Sequence, residues 1–291
     1  AAAGSDDGAA PDRGPAAHDT LRVAALNKAG SSFLLEMGGQ RLLINPNLEG
    51  STGMTPEEVH EQVDWVILTS GKSEFMHGPT IGKMNLAKAN FVACSVAGEA
   101  LSRLMVRNLA VLAAGPGGRV SLQGKEGAAS ILAMVIPGAP TLPWETPEVG
   151  FVFVNAETGV AVGYEALGQF LGPGASLERE GIPEEAYQVD YLVTPDLREA
   201  GGVVKGLTSK GAALRGVVAL PSPRALMLKE TEAGANPITG ALLAQDRFIS
   251  SVLGEVNTPD EFRAMLSQQG PPLAETRLYE LAVSDGPVDL E

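Results

Sequence analysis

The amino-acid sequence predicts an α+β protein built as a four-layer αββα sandwich, in which two β-sheets pack face to face and helices cover their outer sides. Two observations predict this. Short apolar runs joined by tight turns open the ordered part of the chain, as expected for paired strands. Similar runs then alternate with capped, helix-like segments in both halves. We expect a single domain over residues 21–291, preceded by a disordered leader at residues 1–20 that is rich in Ala, Gly, Asp and Pro.

The first half supplies most of the predicted strands. Gly38-Gly39 separates two apolar runs, a spacing typical of a β-hairpin. Thr55-Pro56-Glu57-Glu58 combines an N-cap, a proline at the first helical position and a glutamate placed for a capping box, so a short helix should precede Asp64. The predicted strands are Leu21–Leu26, Ser32–Met37, Arg41–Asn45, Trp65–Thr69, Phe91–Cys94, Val120–Leu122, Ile131–Ile136, Phe151–Asn155 and Val160–Gly163.

The remaining elements continue this pattern. A second capping-box sequence, Thr258-Pro259-Asp260-Glu261, predicts a helix over Phe262–Leu266. The other predicted elements are helices at Pro79–Lys88, Gly98–Val106, Ser209–Leu214 and Leu242–Leu253, a turn at Gly115–Gly118, and strands at Tyr191–Val193, Val217–Leu220 and Leu278–Val283.

Composition limits the classes of function. The chain has 35 acidic and 21 basic side chains and a formal net charge of −14, whereas nucleic-acid binding needs clustered lysine and arginine. The acidity also argues against attraction to an anionic membrane surface, and no uncharged apolar run is long enough to span a bilayer. With three histidines and one cysteine, the chain cannot form an intramolecular disulfide or a cysteine-rich zinc site. We therefore expect a soluble protein that does not bind nucleic acid.

Six segments carry a resemblance that covers most of residues 21–291. Two short strands precede an apolar strand that enters a polar loop, and a helix follows. The segments are Ser32–Glu36, Arg41–Pro46, Val63–His77, Leu142–Phe151, Gly163–Leu167 and Val189–Pro195. In this order they resemble the metallo-β-lactamase superfamily, and within it the plastid and cyanobacterial branch related to ascorbate-phosphate lactonase-like proteins. The resemblance implies the αββα sandwich and, in typical members, a dinuclear zinc centre that activates water for hydrolysis.

The metal-binding motif departs from the superfamily's pattern. The positions of its two first histidines, its aspartate and its next histidine are occupied, in order, by Ser70, Lys72, Glu74 and Phe75. An ammonium group and a phenyl ring offer no lone pair to a metal at neutral pH. Of the histidines in the branch's motif, this chain keeps only His77, and Leu167 stands at the position of the later one. The other two histidines, His18 and His60, lie outside the motif. The resemblance therefore implies the fold without its usual metal centre.

Each remaining polar candidate has two interpretations. Glu74 and His77 would share a face if the loop begins a helix, either as a residual single-metal pair or as hydrogen-bonded loop residues. Glu165 or Asp196 would supply the third ligand of such a metal site. Lys72 either balances carboxylates in an emptied metal pocket or is simply solvated.

Other residues are candidates for contact with a ligand or partner. Trp144, between two prolines, is either an exposed anchor or a packed core side chain. Ser70 and Lys72 would contact a ligand in the old catalytic cleft, Asp196 would contact a ligand or partner, and the segment Pro195–Gly206 would take part in a protein contact.

These observations predict a catalytically degenerate member of the fold, a pseudoenzyme that serves as a binding or assembly module for a protein partner and needs no cofactor. One alternative is a hydrolase that uses one divalent metal ion at Glu74, His77 and Glu165, or metal-free acid–base chemistry by the same groups. Another alternative is a small-molecule carrier that uses the old cleft near Ser70 and Lys72. The resemblance also implies a location in the chloroplast, with the stroma favoured over the lumen.

Overall fold

The computed structural model describes residues 20–51, 53–104, 106–112, 118–137, 149–164, 184–221, 258–271, 273–283 and 286–290. Within these residues the chain forms two seven-stranded mixed sheets and five α-helices. The helices are α1 (Val59–Gln62), α2 (Gly78–Ile81), α3 (Ser95–Arg103), α4 (Leu197–Ser209) and α5 (Pro259–Gln268).

The first sheet combines an antiparallel part with a parallel part. Its strands are β1 (Leu21–Ala25), β2 (Phe33–Met37), β3 (Gln40–Ile44), β4 (Trp65–Leu68), β5 (Asn90–Cys94), β6 (Asn108–Leu112) and β14 (Val288–Asp289). The spatial order is β14-β1-β2-β3-β4-β5-β6. Pairing is antiparallel from β14 to β3, and parallel from β3 to β6.

The second sheet repeats this arrangement. Its strands are β7 (Arg119–Leu122), β8 (Ile131–Pro137), β9 (Val149–Asn155), β10 (Ala161–Tyr164), β11 (Tyr191–Thr194), β12 (Gly216–Ala219) and β13 (Arg277–Glu280). The order is β13-β12-β11-β10-β9-β8-β7, antiparallel from β7 to β10 and parallel from β10 to β13. Parallel neighbours need a crossover connection, and α1 to α5 lie in those connections. The two sheets therefore share one pattern of antiparallel and parallel pairs, and they differ in that the edge strand β14 follows all the other strands in the chain.

The main hydrophobic core lies between the sheets. Alternation along the strands directs one set of side chains inward, and Phe33 of β2 meets Tyr164 of β10 with ring centroids 4.8 Å apart. On β11, Tyr191 and Val193 join this core, whereas Leu192 faces the opposite side. Buried inner side chains from both sheets include Val23, Phe33, Leu35, Ile131, Phe151, Phe153, Val162 and Val218. The fold class predicted from the sequence is confirmed.

Helices cover the outer faces of both sheets. A second hydrophobic cluster joins the outer face of the second sheet to α4 and α5, whose buried side chains include Val203, Leu207, Phe262 and Leu266. Burying an aliphatic or aromatic side chain of this size contributes roughly 1.5–3 kcal/mol. α3 packs on the first sheet through Ala97, Gly98 and Leu101. None of the described helices is long and apolar enough to cross a membrane.

Several predicted helices have different bounds in the structure. The expected helix Pro79–Lys88 is limited to the single turn α2, because successive turns follow Ile81. The expected helix Gly98–Val106 begins earlier and ends at Arg103, before the unpredicted edge strand β6. Residues 209–214, expected to be helical, are instead the end of α4 and the irregular connection to β12. The strand β14 was also not predicted.

Some predicted features lie outside the described residues. These are the leader as far as residue 19, most of the turn at residues 115–118, the helix Leu242–Leu253, and three candidate side chains, Trp144, Glu165 and Leu167. Both capping-box predictions fall within the described residues and are confirmed, at Thr55 and at Thr258.

Candidate functional site

The loops that follow the parallel strands of both sheets meet at one end of the sandwich. Asn45, just after β3, donates its amide N–H to the hydroxyl of Tyr164 at the end of β10, with an N–O distance of 3.3 Å. The backbone N–H of Val149 donates to the carbonyl of Thr69, just after β4, at 3.1 Å. We call residues 45–49, 69–80 and 194–196 the strand-end region. The resemblance places the catalytic site of the superfamily here.

Asn45 is the centre of this region and is fully buried. Its Oδ1 accepts hydrogen bonds from both the backbone N–H and the hydroxyl of Thr69, at 2.9 and 3.0 Å. The backbone φ of Asn45 is +55°, a left-handed conformation that asparagine tolerates better than most residues. A neutral amide thus joins the ends of β3, β4 and β10 by direct hydrogen bonds.

A second buried asparagine fastens the β1–β2 loop to the strand-end region. Asn27 donates to the carbonyl of Asn47 and to the Ser31 hydroxyl, both at 3.0 Å. The amide of Asn47 in turn donates to the Glu74 carbonyl at 3.1 Å. The loops that follow β1, β3 and β4 are therefore connected through amide side chains, which carry no charge to attract a cation.

His77 is held by groups other than the predicted Glu74. Its Nδ1 lies 2.8 Å from the hydroxyl of Thr80, and its Nε2 lies 3.8 Å from a carboxylate oxygen of the exposed Glu49. The Leu48 N–H donates to the same Thr80 oxygen at 3.3 Å, so the Thr80 hydroxyl connects His77 to the loop that follows β3. His77 is the N-cap of α2, and Glu74 lies in the preceding turn. The two residues thus do not share a helical face.

The side chains of the other loop candidates differ in how far they are exposed to solvent. Ser70 is buried and its hydroxyl accepts from the backbone N–H of Lys72 at 3.1 Å, whereas the side chains of Lys72 and Glu74 are exposed. The carbonyl of Lys72 accepts from the N–H groups of Phe75 and Met76 at 3.0 and 2.8 Å, which closes a tight turn. This turn directs Phe75 into the main hydrophobic core, where it is only 5% exposed.

The remaining candidates lie at the second sheet or beyond the described residues. Asp196 is half-buried after β11, and its backbone N–H donates to the Thr194 hydroxyl at 3.2 Å. Trp144 and Glu165 lie outside the residues that the structure describes. Of the predicted residues, Ser70, Lys72, Glu74 and His77 therefore lie in the loop after β4 of the first sheet, whereas Asp196 lies after β11 of the second sheet.

The donor set at the four motif positions does not fit a dinuclear zinc centre. These positions hold a buried hydroxyl, an ammonium group, an exposed carboxylate and a phenyl ring in the core, whereas zinc prefers imidazole, thiolate and carboxylate ligands. Among the described residues, no three histidine, cysteine, aspartate or glutamate side chains are grouped so that they could hold a metal ion.

Sequence reasoning missed the residues that organise this region. Asn27, Asn47, Glu49 and Thr80 were not candidates, although each bonds to another loop or to His77. The signal for one further residue was present: Asn45-Pro46 follows an apolar strand where the superfamily has Asp-Pro. A polar residue directly after a strand that leads into the site predicts a role at the strand end.

Comparison with solved structures identifies the fold. Igni18, a metallo hydrolase from the archaeon Ignicoccus hospitalis, aligns with a TM-score of 0.55 and 17% identity, over 94% of this chain and 99% of its own. The metallo-β-lactamase fold protein YhfI from Bacillus subtilis aligns with a TM-score of 0.51 and 11% identity, over 93% and 100%. Isothiocyanate hydrolase from Delia radicum gut bacteria aligns with a TM-score of 0.52 and 12% identity, over 91% and 97%. The chain therefore has the metallo-β-lactamase fold.

Sequence comparison adds no closer relationship. No protein-family model matches the chain, and no curated protein matches its sequence. The solved structures above are less than a fifth identical to it, so their likeness shows the fold alone.

Proposed function

We propose that this chain is a catalytically degenerate metallo-β-lactamase-fold protein that acts as a binding or assembly module. The observation that carries the proposal is the Asn45 side chain, which joins the strand ends of both sheets through hydrogen bonds to Thr69 and Tyr164. Metal-assisted hydrolysis needs side chains that hold a cation. The bound cation then lowers the pKa of a water molecule attached to it. The neutral amide and the buried Phe75 support a structural role for this region instead.

A hydrolase with a reduced site is the competing function. It is supported by two solved proteins of the same fold, of which one is a metallo hydrolase and the other an isothiocyanate hydrolase. His77 lies 3.8 Å from the exposed carboxylate of Glu49, so one histidine and one carboxylate do meet in the strand-end region. The reduced site predicted from the sequence would bind one divalent metal ion with Glu74, His77 and Glu165, or the same groups would act by acid–base chemistry without metal. A small-molecule carrier with its ligand near Ser70 and Lys72 is the third possibility.

Metal content separates these functions. We expect the purified chain, after incubation with zinc, manganese or ferrous iron and gel filtration, to retain clearly less than one metal ion per chain by mass spectrometry. The physical reason is that one imidazole and exposed carboxylates form a weak zinc site.

The matched variants are His77→Ala and His60→Ala, because His60 lies in α1, outside the strand-end region. Stoichiometric metal that is lost in His77→Ala but kept in His60→Ala would establish the reduced metal site and contradict the proposed function. A ligand that co-purifies with the wild type and is lost in Lys72→Ala would favour the carrier.

The chloroplast stroma is the proposed location. Its support is the resemblance to the plastid branch, on the six segments named above. Immunoblots of purified stroma, thylakoid and lumen fractions test it, and a signal confined to non-plastid fractions would contradict it.

A further inference from the structure

The four edge strands of the two sheets differ in how they are protected. β14 has two residues, β7 begins with the exposed Arg119, and β13 begins and ends with the exposed charges Arg277 and Glu280. Short or charged edges resist pairing with another chain. β6 has five residues and no charged side chain, and within the described part of the chain it pairs with β5 alone. Among the edge strands that the structure describes, β6 is therefore the one least protected by short length or by charge.

Exposed apolar side chains are concentrated beside this edge. Among the described residues, the large hydrophobics that are exposed are Val96, Leu104 and Val111, at 38%, 50% and 49%. Val96 is in α3, Leu104 directly follows α3, and Val111 is in β6. A Cβ atom added to Gly98 would lie 2.6 Å from a methyl group of Val111, so Val111 packs directly against α3. The exposed apolar side chains of α3 and β6 thus form one layer. An added strand would cover part of this layer.

Charge at this edge is opposite to that of the whole protein. Residues 83–119, which contain β5, α3 and β6, carry five basic side chains and one acidic side chain, in a chain whose net charge is −14. The acidic one, Glu99, pairs with Arg103 at 2.5 Å. Arg107, one residue before β6, and Arg119 are both exposed and form no ion pair with a described residue. Positive charge thus lies directly before β6, at Arg107, and at the start of β7, the next described strand along the chain, at Arg119.

We propose that β6 binds an extended acidic segment of a partner protein by strand addition. This inference rests on the proposed binding role and names the class of partner. Backbone hydrogen bonds along an edge strand provide affinity, and side-chain pockets and charges provide specificity. A partner strand that alternates apolar and acidic residues would cover Val111 and neutralise Arg107 and Arg119.

Two other occupants fit the edge less well. A second copy of β6 carries no acidic side chain, so it would offer no opposite charge to Arg107 or Arg119. Single-stranded nucleic acid needs aromatic stacking platforms, and residues 83–119 contain one aromatic side chain, Phe91, which is buried.

The test uses the full chain and a synthetic ten-residue peptide that alternates valine with glutamate. Fluorescence anisotropy should show saturable binding, and hydrogen exchange should show new protection at residues 108–112. Arg107→Glu combined with Arg119→Glu should weaken binding at least about tenfold. Val111→Lys should also weaken it about tenfold, although this variant adds positive charge, because an edge lysine opposes strand pairing.

The Val111→Lys variant distinguishes strand addition from charge attraction alone. Unchanged or tighter binding in Val111→Lys would overturn the proposal, as would the absence of peptide binding or equal binding of a valine–lysine peptide. A dimer that disappears in Val111→Lys would assign the edge to self-association. Tighter binding of an oligonucleotide than of the peptide would assign it to nucleic acid. Stoichiometric metal at His77 with intact peptide binding would overturn the proposed function and leave this inference standing.

Discussion

Replacement of Gly30 by alanine is expected to lower the free energy of unfolding by about 4 kcal/mol. Gly30 is in the loop between β1 and β2 with a φ of +64°, and a left-handed conformation costs a residue with a side chain about 1–2 kcal/mol. A Cβ atom added there would lie 1.8 Å from the backbone carbonyl oxygen of Pro221, two residues after β12. Backbone cannot move aside like a flexible side chain, so overpacking adds about 1–3 kcal/mol.

Gly50→Ala provides the matched control. Gly50 has a φ of +72°, but nothing lies within 4 Å of an added Cβ atom, so this variant reports the conformational cost alone. We expect it to lose about 1 kcal/mol. Urea unfolding followed by circular dichroism measures both variants. Equal losses for Gly30→Ala and Gly50→Ala would mean that the β1–β2 loop does not pack closely on the second sheet.

Most of the fold could be predicted from local sequence patterns. The alternation of apolar residues, the Gly38-Gly39 turn and the two capping boxes are short-range signals, and the strands and helices they predict are present. The exceptions depend on tertiary contacts. The sequence of β6 has no clear alternation, because Asn108 and Val111 are exposed and Leu109 and Ala110 are both half-buried. It forms a strand because it pairs with β5. The helix-like sequence at Pro79–Lys88 extends beyond Ile81, but the structure has only the single helical turn α2 there.

The candidate site was less predictable because its residues come from separate loops. Sequence spacing suggested a pair between Glu74 and His77, but helix α2 begins after both residues. The actual neighbours of His77 are Thr80, on α2, and Glu49, which precedes it by 28 positions. The parallel pairing of β3 and β4 and the hydrogen bonds from Asn47 and Leu48 bring the loop containing Glu49 beside this histidine. Spacing along the chain carries no information about such a contact.

The replacement of Asn45 by alanine is expected to lower the free energy of unfolding by about 3 kcal/mol. The change removes the acceptor of two hydrogen bonds from Thr69 and the donor to Tyr164, in a fully buried position. The backbone N–H of Thr69 would then be buried without this acceptor, which costs about 1–3 kcal/mol. Alanine also tolerates the left-handed backbone of Asn45 less well than asparagine. Thermal and urea unfolding measure the loss.

The variant Asn45→Asp tests whether the strand-end region can still hold a cation. It restores the carboxylate found at this position of the superfamily and keeps an acceptor for Thr69, but it removes the donor to Tyr164 and buries a charge. A ligand that binds the folded state raises the melting temperature, so a nearby cation site would make this variant more stable in zinc. Because an ammonium group at Lys72 and a phenyl ring at Phe75 offer no lone pair to a metal, we expect zinc to leave the melting temperatures of wild type and Asn45→Asp unchanged. If zinc raised the melting temperature of Asn45→Asp but not that of the wild type, a carboxylate in place of the Asn45 amide would be enough to create a cation site. Asn45, rather than the whole set of motif positions, would then be the residue that opposes cation binding.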